Sequence, residues 1–179
     1  MELEIIYKEK CRIHSDIHQH LPTLKKYAED CNHITEFGVR GIVSTYALLM
    51  GIPNKMVSYD IDFVDMDFIK NMVKENTDFK FIQGDSTNIE IEETDLLFID
   101  TLHTFDQLKT ELFLHSPNVK KYIILHDTTS YEWEGEMVNG VSQKGLWPAV
   151  EDFLNLNSNW SILERFGNNN GLTILKRNI

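Results

Sequence analysis

At 179 residues the chain holds one domain with a full core and is too short for two. Its 42% hydrophobic and 25% charged residues are ordinary for a globular protein, and a formal net charge of −11 argues against nucleic acid as a partner, because its binders carry basic patches. No Lys/Arg run exceeds a pair, no apolar stretch approaches the ~20 residues that cross a bilayer, and Cys11 and Cys31 form no CxxC, so a reduced, cytoplasmic setting with inert thiols is expected.

Residues 1–32 read as a helical entry segment. MELEIIYKEK places acidic residues where a signal peptide needs basic ones. SDIHQHLPTLKKYAEDC carries a helix that Ser15 or Asp16 caps, or that starts later because of Pro22. Five apolar runs of strand length follow: 33–37 (HITEF), 56–60 (MVSYD), 79–83 (FKFIQ), 94–100 (TDLLFID) and 121–127 (KYIILHD). Near-continuous apolarity predicts parallel strands covered on both faces. GIVSTYALLM, DFVDMDFIKNMVKE and TFDQLKTELFLHS have helical spacing, the last with Phe105, Leu108, Leu112 and Phe113 on one stripe, while the third run leads on through a shorter polar connection. SYEWEGEMVNGVSQKG (130–145) reads as a loop able to cover a site, its Glu132, Trp133 and Glu134 either touching a sugar or simply solvated. WPAVEDFLNLN is a helix with Pro148 in its first turn, and WSILERF and LTILKRN are strands that the GNNNG turn makes antiparallel. The alternation is that of a doubly wound α/β domain, with five parallel strands and a terminal hairpin.

Acidic residues close four of these strands or stand just beyond them, at the end where open α/β sheets bind ligands. After the first strand, Gly38 and Gly41 let the backbone turn and approach a ligand, although G-x-x-G is short of a dinucleotide fingerprint. The helix that follows suits a carboxylate as well as a phosphate, with Arg40 and Ser44 in reach of it. Asp60 stands where a carboxylate can accept both hydroxyls of a ribose, or else caps the next helix, a role that Asp62 fills better. Asp85-Ser86 offers a partner for the exocyclic amine of a base, or an Asx turn. Asp100 and Asp127 end neighbouring strands, and two such carboxylates repel unless protonated or bridged by a cation such as Mg²⁺. His126 is a ligand or a core histidine, and His103 a loop residue or a functional one. Histidines 14, 18, 20, 33 and 115 are expected to be surface or structural.

EFGVRGIVS, VSYD, GDS and DLLFID together resemble the nucleotide-side motifs of the class I S-adenosylmethionine-dependent methyltransferases, with the second glycine one position early. FIDTLHTFDQLKTEL followed by YIILHDTT resembles the metal-dependent O-methyltransferases and, more closely, the cephalosporin-hydroxylase-like group, with His126 where that group usually has Glu. The resemblance implies a Rossmann-like seven-stranded sheet in the order 3-2-1-4-5-7-6. It implies S-adenosylmethionine with its amino-acid end near Glu36, Gly38, Arg40 and Ser44, its ribose on Asp60, and its base near Asp85 and Ser86. Asp100 would border both cofactor and chemistry. Mg²⁺ or another divalent cation would sit on Asp100, His126 and Asp127, with His103 as general base. The expected reaction is O-methylation of a small molecule such as a sugar, without membrane or nucleic acid, by a chain that forms a homodimer. The alternative is a non-catalytic module that binds the cofactor or a nucleotide.

Overall fold

Each of the seven strands expected above is present within two residues of its expected span. The computed structural model describes residues 2–178. In chain order the elements are α1 (Glu2–Lys10), α2 (Leu21–Ala28), β1 (His33–Phe37), α3 (Ser44–Leu49), β2 (Lys55–Asp60), α4 (Asp67–Val73), β3 (Asp78–Gln83) and β4 (Thr94–Ile99). Then come α5 (Phe105–His115), β5 (Val119–His126), β6 (Glu134–Val138), β7 (Val141–Lys144), α6 (Trp147–Leu156), β8 (Trp160–Phe166) and β9 (Leu172–Arg177).

Seven strands form one sheet in the order β3-β2-β1-β4-β5-β9-β8; the first five run parallel and β9 joins β5 antiparallel. In the numbering of those seven strands alone this is the expected 3-2-1-4-5-7-6. Period-two alternation divides the core. On β4, Leu96 and Phe98 pack with Leu24, Leu48 and Ile69 from α2, α3 and α4, while Leu97 and Ile99 pack with Leu108, Leu112 and Val150 from α5 and α6. Among the described residues no helix is long and apolar enough to cross a membrane.

The structure corrects several local expectations. The helix after β1 begins only at Ser44, because Arg40 and Ile42 lie in the left-handed region and break the first turn (φ 37° and 52°). The helix after β2 begins at Asp67, whose amide donates to Asp65 Oδ1 at 3.0 Å, so Asp62 does not cap it. Phe113 leaves the α5 stripe and is exposed. The entry helix starts at Leu21 with Pro22 in its first turn.

The segment read as a loop over 130–145 contains a β-hairpin, β6–β7. Its turn is Asn139-Gly140, both in the left-handed region (φ 52° and 78°), as a primed two-residue turn requires.

Candidate functional site

Strand order reverses between β1 and β4, and their carboxyl ends open into a cavity of about 640 Å³. That size falls in the range of small-molecule pockets, ~300–1,000 Å³. Gly38 forms its floor at φ +84°; a Cβ there would stand 1.8 Å from the Asp100 carbonyl oxygen. No other residue fits so close an approach of the chain after β1 to the end of β4. Gly41 is different, since a Cβ there meets only Val43 at 3.8 Å.

Asp60 accepts from the amides of Val39 at 2.8 Å and Arg40 at 3.0 Å on Oδ2, and from Asp62 at 3.0 Å on Oδ1. Burial pushes its pKa up, but these backbone donors outweigh burial and hold it below the ordinary carboxylate value. Oδ1, with a second lone pair beside the one that takes the Asp62 amide, keeps capacity to accept a ligand hydroxyl.

Glu36 lies elsewhere. It is fully buried beneath the loop, off the cavity wall, and accepts from Ser44 Oγ (2.7 Å), Thr45 Oγ1 (2.9 Å) and Ser58 Oγ (2.6 Å). Burial lifts its pKa to about 7 against the pull of those hydroxyls. It clasps β1, β2 and α3 together. Ser44 reaches the cavity wall with its hydroxyl hydrogen committed to Glu36. Arg40 stands at the cavity rim, paired with Asp16.

Asp85 closes an Asx turn, accepting from the Thr87 amide at 2.8 Å. Ser86 is fixed from three sides: its hydroxyl donates to Glu111 (2.6 Å) and accepts from Gln107 (3.1 Å), and its carbonyl accepts from His115 Nε2 (2.7 Å). Both Asp85 and Ser86 line the cavity.

At the other end of the cavity Asp100, His103, His126 and Asp127 converge. His103 Nε2 is 2.8 Å from Asp127 Oδ2 and 3.4 Å from Asp100 Oδ1. His126 Nδ1 is 3.1 Å from Asp127 Oδ2 and 3.4 Å from Asp100 Oδ1. Asp127 itself is left-handed at φ 59°. Burial pulls both histidines toward the neutral form, yet the charges of Asp100 and Asp127 outweigh it and lift each to about 10. The carboxylates are correspondingly held below their ordinary value. His103 is also stacked on Tyr131, with ring centroids 4.4 Å apart.

His126 Nδ1 and Asp127 Oδ1 are buried without any hydrogen-bond partner, which fits a cation as the missing group. Donor atoms of Asp100, His103 and Asp127 all lie within 4.8 Å of one another, so His103 stands among the candidate ligands as well as beside the cavity.

The sequence reading missed Glu136, Gln107 and Asp16, all on the cavity wall. Glu136 is carried by the hairpin: its carboxylate takes His103 Nδ1–H, and its amide donates to the His103 carbonyl at 3.0 Å. Asn139-Gly140 was the sequence signal for that hairpin. Gln107 and Glu111, a polar i,i+4 pair beside Leu108 and Leu112, were the signal for an inward polar face on α5. Glu132, Trp133 and Glu134, read as either sugar contacts or solvated loop residues, do not line the cavity; Glu132 pairs with Arg165 at 2.6 Å.

No family model and no curated protein matches this sequence. Solved structures do match in shape. N-methyltransferase NodS from Bradyrhizobium japonicum WM9, in complex with S-adenosyl-L-homocysteine, superposes with a TM-score of 0.66 at 11% identity over 98% of each chain. A candidate caffeoyl-CoA O-methyltransferase from Staphylococcus aureus gives 0.67 at 13% identity, covering 99% of this chain and 92% of that one. The N-terminal domain of EvdMO1, in the presence of S-adenosyl-L-homocysteine and D-fucose, gives 0.58 at 14% identity, covering 93% and 84%. The proteins whose shape this chain shares are S-adenosylmethionine-dependent methyltransferases, and it carries their fold.

Proposed function

We propose that the chain is an S-adenosylmethionine-dependent O-methyltransferase acting on a hydroxyl of a small molecule such as a sugar, with a divalent cation assisting. The observation that carries this reading is that one cavity joins the Gly38–Asp60 end to Asp100 and His103. A nucleoside-type cofactor and a reacting hydroxyl therefore share a wall. Gly38 lets the backbone lie against the cofactor, Asp60 Oδ1 accepts from a ribose hydroxyl, and Asp85 and Ser86 border the base. Arg40 faces the cofactor's carboxylate once its pairing with Asp16 yields.

In the reaction the acceptor oxygen forms a bond to the sulfonium methyl carbon. The carbon–sulfur bond breaks with its electron pair on sulfur, and the hydroxyl proton leaves to the cluster. Holding the oxygen in line behind the methyl lowers the barrier by up to ~7–11 kcal/mol. A cation on Asp100, His126 and Asp127, Mg²⁺ or another, supplies charge that lowers the pKa of a nearby hydroxyl. His103 removes the proton or helps hold the cation.

In either role His103→Ala is expected to lower kcat by ~10²–10⁴ while sparing S-adenosylmethionine affinity. Transfer of labelled methyl to a panel of sugars, read beside calorimetric cofactor binding, is the test. Unchanged turnover in that variant removes His103 from the chemistry. The N-methyltransferase among the similar structures supports an amine acceptor as a second reading. Amine acceptors in the same panel separate the two.

A further inference from the structure

Thr104-Phe105-Asp106-Gln107 at the start of α5 has the spacing of a capping box, in which Gln107 would reach back to the Thr104 amide. Only half of the box forms. Thr104 Oγ1 accepts from the Gln107 amide at 3.3 Å, but the Thr104 amide donates to the Leu102 carbonyl at 2.8 Å. The Gln107 side chain turns instead to the cavity wall, where its Nε2 donates to Glu111 Oε1 at 2.8 Å and to Ser86 Oγ at 3.1 Å.

Glu111 is fully buried and is the anchor of this arrangement. The Ser86 and Thr101 hydroxyls donate to it as well, at 2.6 Å and 2.8 Å. Three donors on one carboxylate suit its ionised form. Burial pushes its pKa up to about 7 against their pull, so the carboxylate is the main form at pH 8. The reversed Gln107 amide would set oxygen against that carboxylate, acceptor against acceptor. Both amide hydrogens are therefore spent inside the protein. Oε1 takes no hydrogen bond among the described residues and is not sealed from the cavity, so it is the polar atom left for a ligand.

We propose that Gln107 selects the purine of the cofactor, its Oε1 accepting from a 6-amino group, and that Glu111 is the positioning residue that keeps the amide in this orientation. The proposal deepens the methyltransferase reading and rests on it: with the ribose on Asp60, the base lies toward Gly84, Asp85 and Ser86, the wall that Gln107 joins. Adenine carries a hydrogen-bond donor at that edge, whereas a 6-oxopurine carries an acceptor there. An acceptor held in place cannot turn to meet the oxo group, and two acceptors are left facing each other. Ser86 gives its hydroxyl hydrogen to Glu111, so its part is to help hold the amide.

The test is calorimetry on the full chain at pH 8, with S-adenosylhomocysteine and with S-inosylhomocysteine, its 6-oxo counterpart. Wild type is expected to bind the 6-amino form at least ~10-fold more tightly. Gln107→Met keeps the length of the side chain and removes the acceptor, so it should bring that ratio toward unity. Glu111→Gln frees the Gln107 amide to reverse and should lower the ratio too, with thermal melts showing both variants folded. A merely structural role would weaken both ligands alike and leave the ratio where it was. Gln107 is only partly buried, so Gln107→Met decides by itself if Glu111→Gln does not fold. Equal binding of the two ligands by wild type, or an undiminished ratio in Gln107→Met, would overturn the proposal and leave the methyltransferase reading standing. An undiminished ratio in folded Glu111→Gln alone would remove Glu111 from it. Binding of neither ligand would overturn both readings.

Discussion

Gly38 shows how one residue ties fold to site. Its left-handed φ costs a side chain roughly 1–2 kcal/mol, and its missing Cβ makes room for the Asp100 carbonyl. Gly38→Ala must therefore push β1 and β4 apart at their carboxyl ends. A destabilisation above ~2 kcal/mol is expected in urea unfolding, together with loss of cofactor binding; an unchanged midpoint would contradict the close approach. Gly41→Ala, whose Cβ makes only an ordinary 3.8 Å contact with Val43, is the control and is expected to leave stability nearly unchanged. Glu36 gives a second prediction. Its carboxyl loses its proton near 4.5 in the unfolded chain and near 7 when folded. Between those values the folded chain binds more protons, so the stability this group contributes falls as pH rises and is gone above about 7. Burial sets this sign. The stability of wild type relative to Glu36→Gln is expected to drop by on the order of 3 kcal/mol from pH 4 to pH 8. A pH-independent difference in paired denaturation curves would mean that Glu36 titrates normally.

At the scale of elements, strands were the most legible. Continuous runs such as DLLFI and YIILH are buried on both faces, and position in the sheet adds little to what composition already says. Helix starts were not, because α3 is delayed by left-handed Arg40 and Ile42, a conformation no propensity of Arg or Ile foretells. Asp60 and Asp100 were legible as cavity-lining residues because the strand ends of an open α/β sheet face its cleft, whereas the burial of Glu36 depends on Ser44, Thr45 and Ser58, brought from two other elements. Glu136 was hidden by its distance in sequence from His103, although Asn139-Gly140 marked the hairpin that carries it. Because that hairpin fixes the His103 ring, Glu136→Ala is expected to lower turnover ~10–100-fold with little change in melting temperature. Equal activity in the variant would reduce the hairpin to a cover. Gly140 itself faces open space, so its conformation and not its contacts is what the sequence had to specify.

At the scale of the whole molecule, the two halves of the chain meet over the sheet's carboxyl end. The turn between β8 and β9 reaches the segment before α2: the Gln19 amide donates to Asn169 Oδ1 at 2.8 Å, and His20 Nε2 to the Asn168 carbonyl at 2.8 Å. The same turn holds His126 through Asn169. Cavity wall, the cluster around Asp127 and chain closure thus depend on one another, so a ligand that fills the cavity should stabilise the entire domain by mass action. The central claim is that this cavity takes S-adenosylmethionine, and titration calorimetry on the full chain tests it most directly, with divalent metal and with chelator. The account predicts one cofactor per chain at a Kd on the order of micromolar, or about −8 kcal/mol, lost in Asp60→Ala. Absence of binding heat and of any thermal stabilisation under both conditions would contradict it.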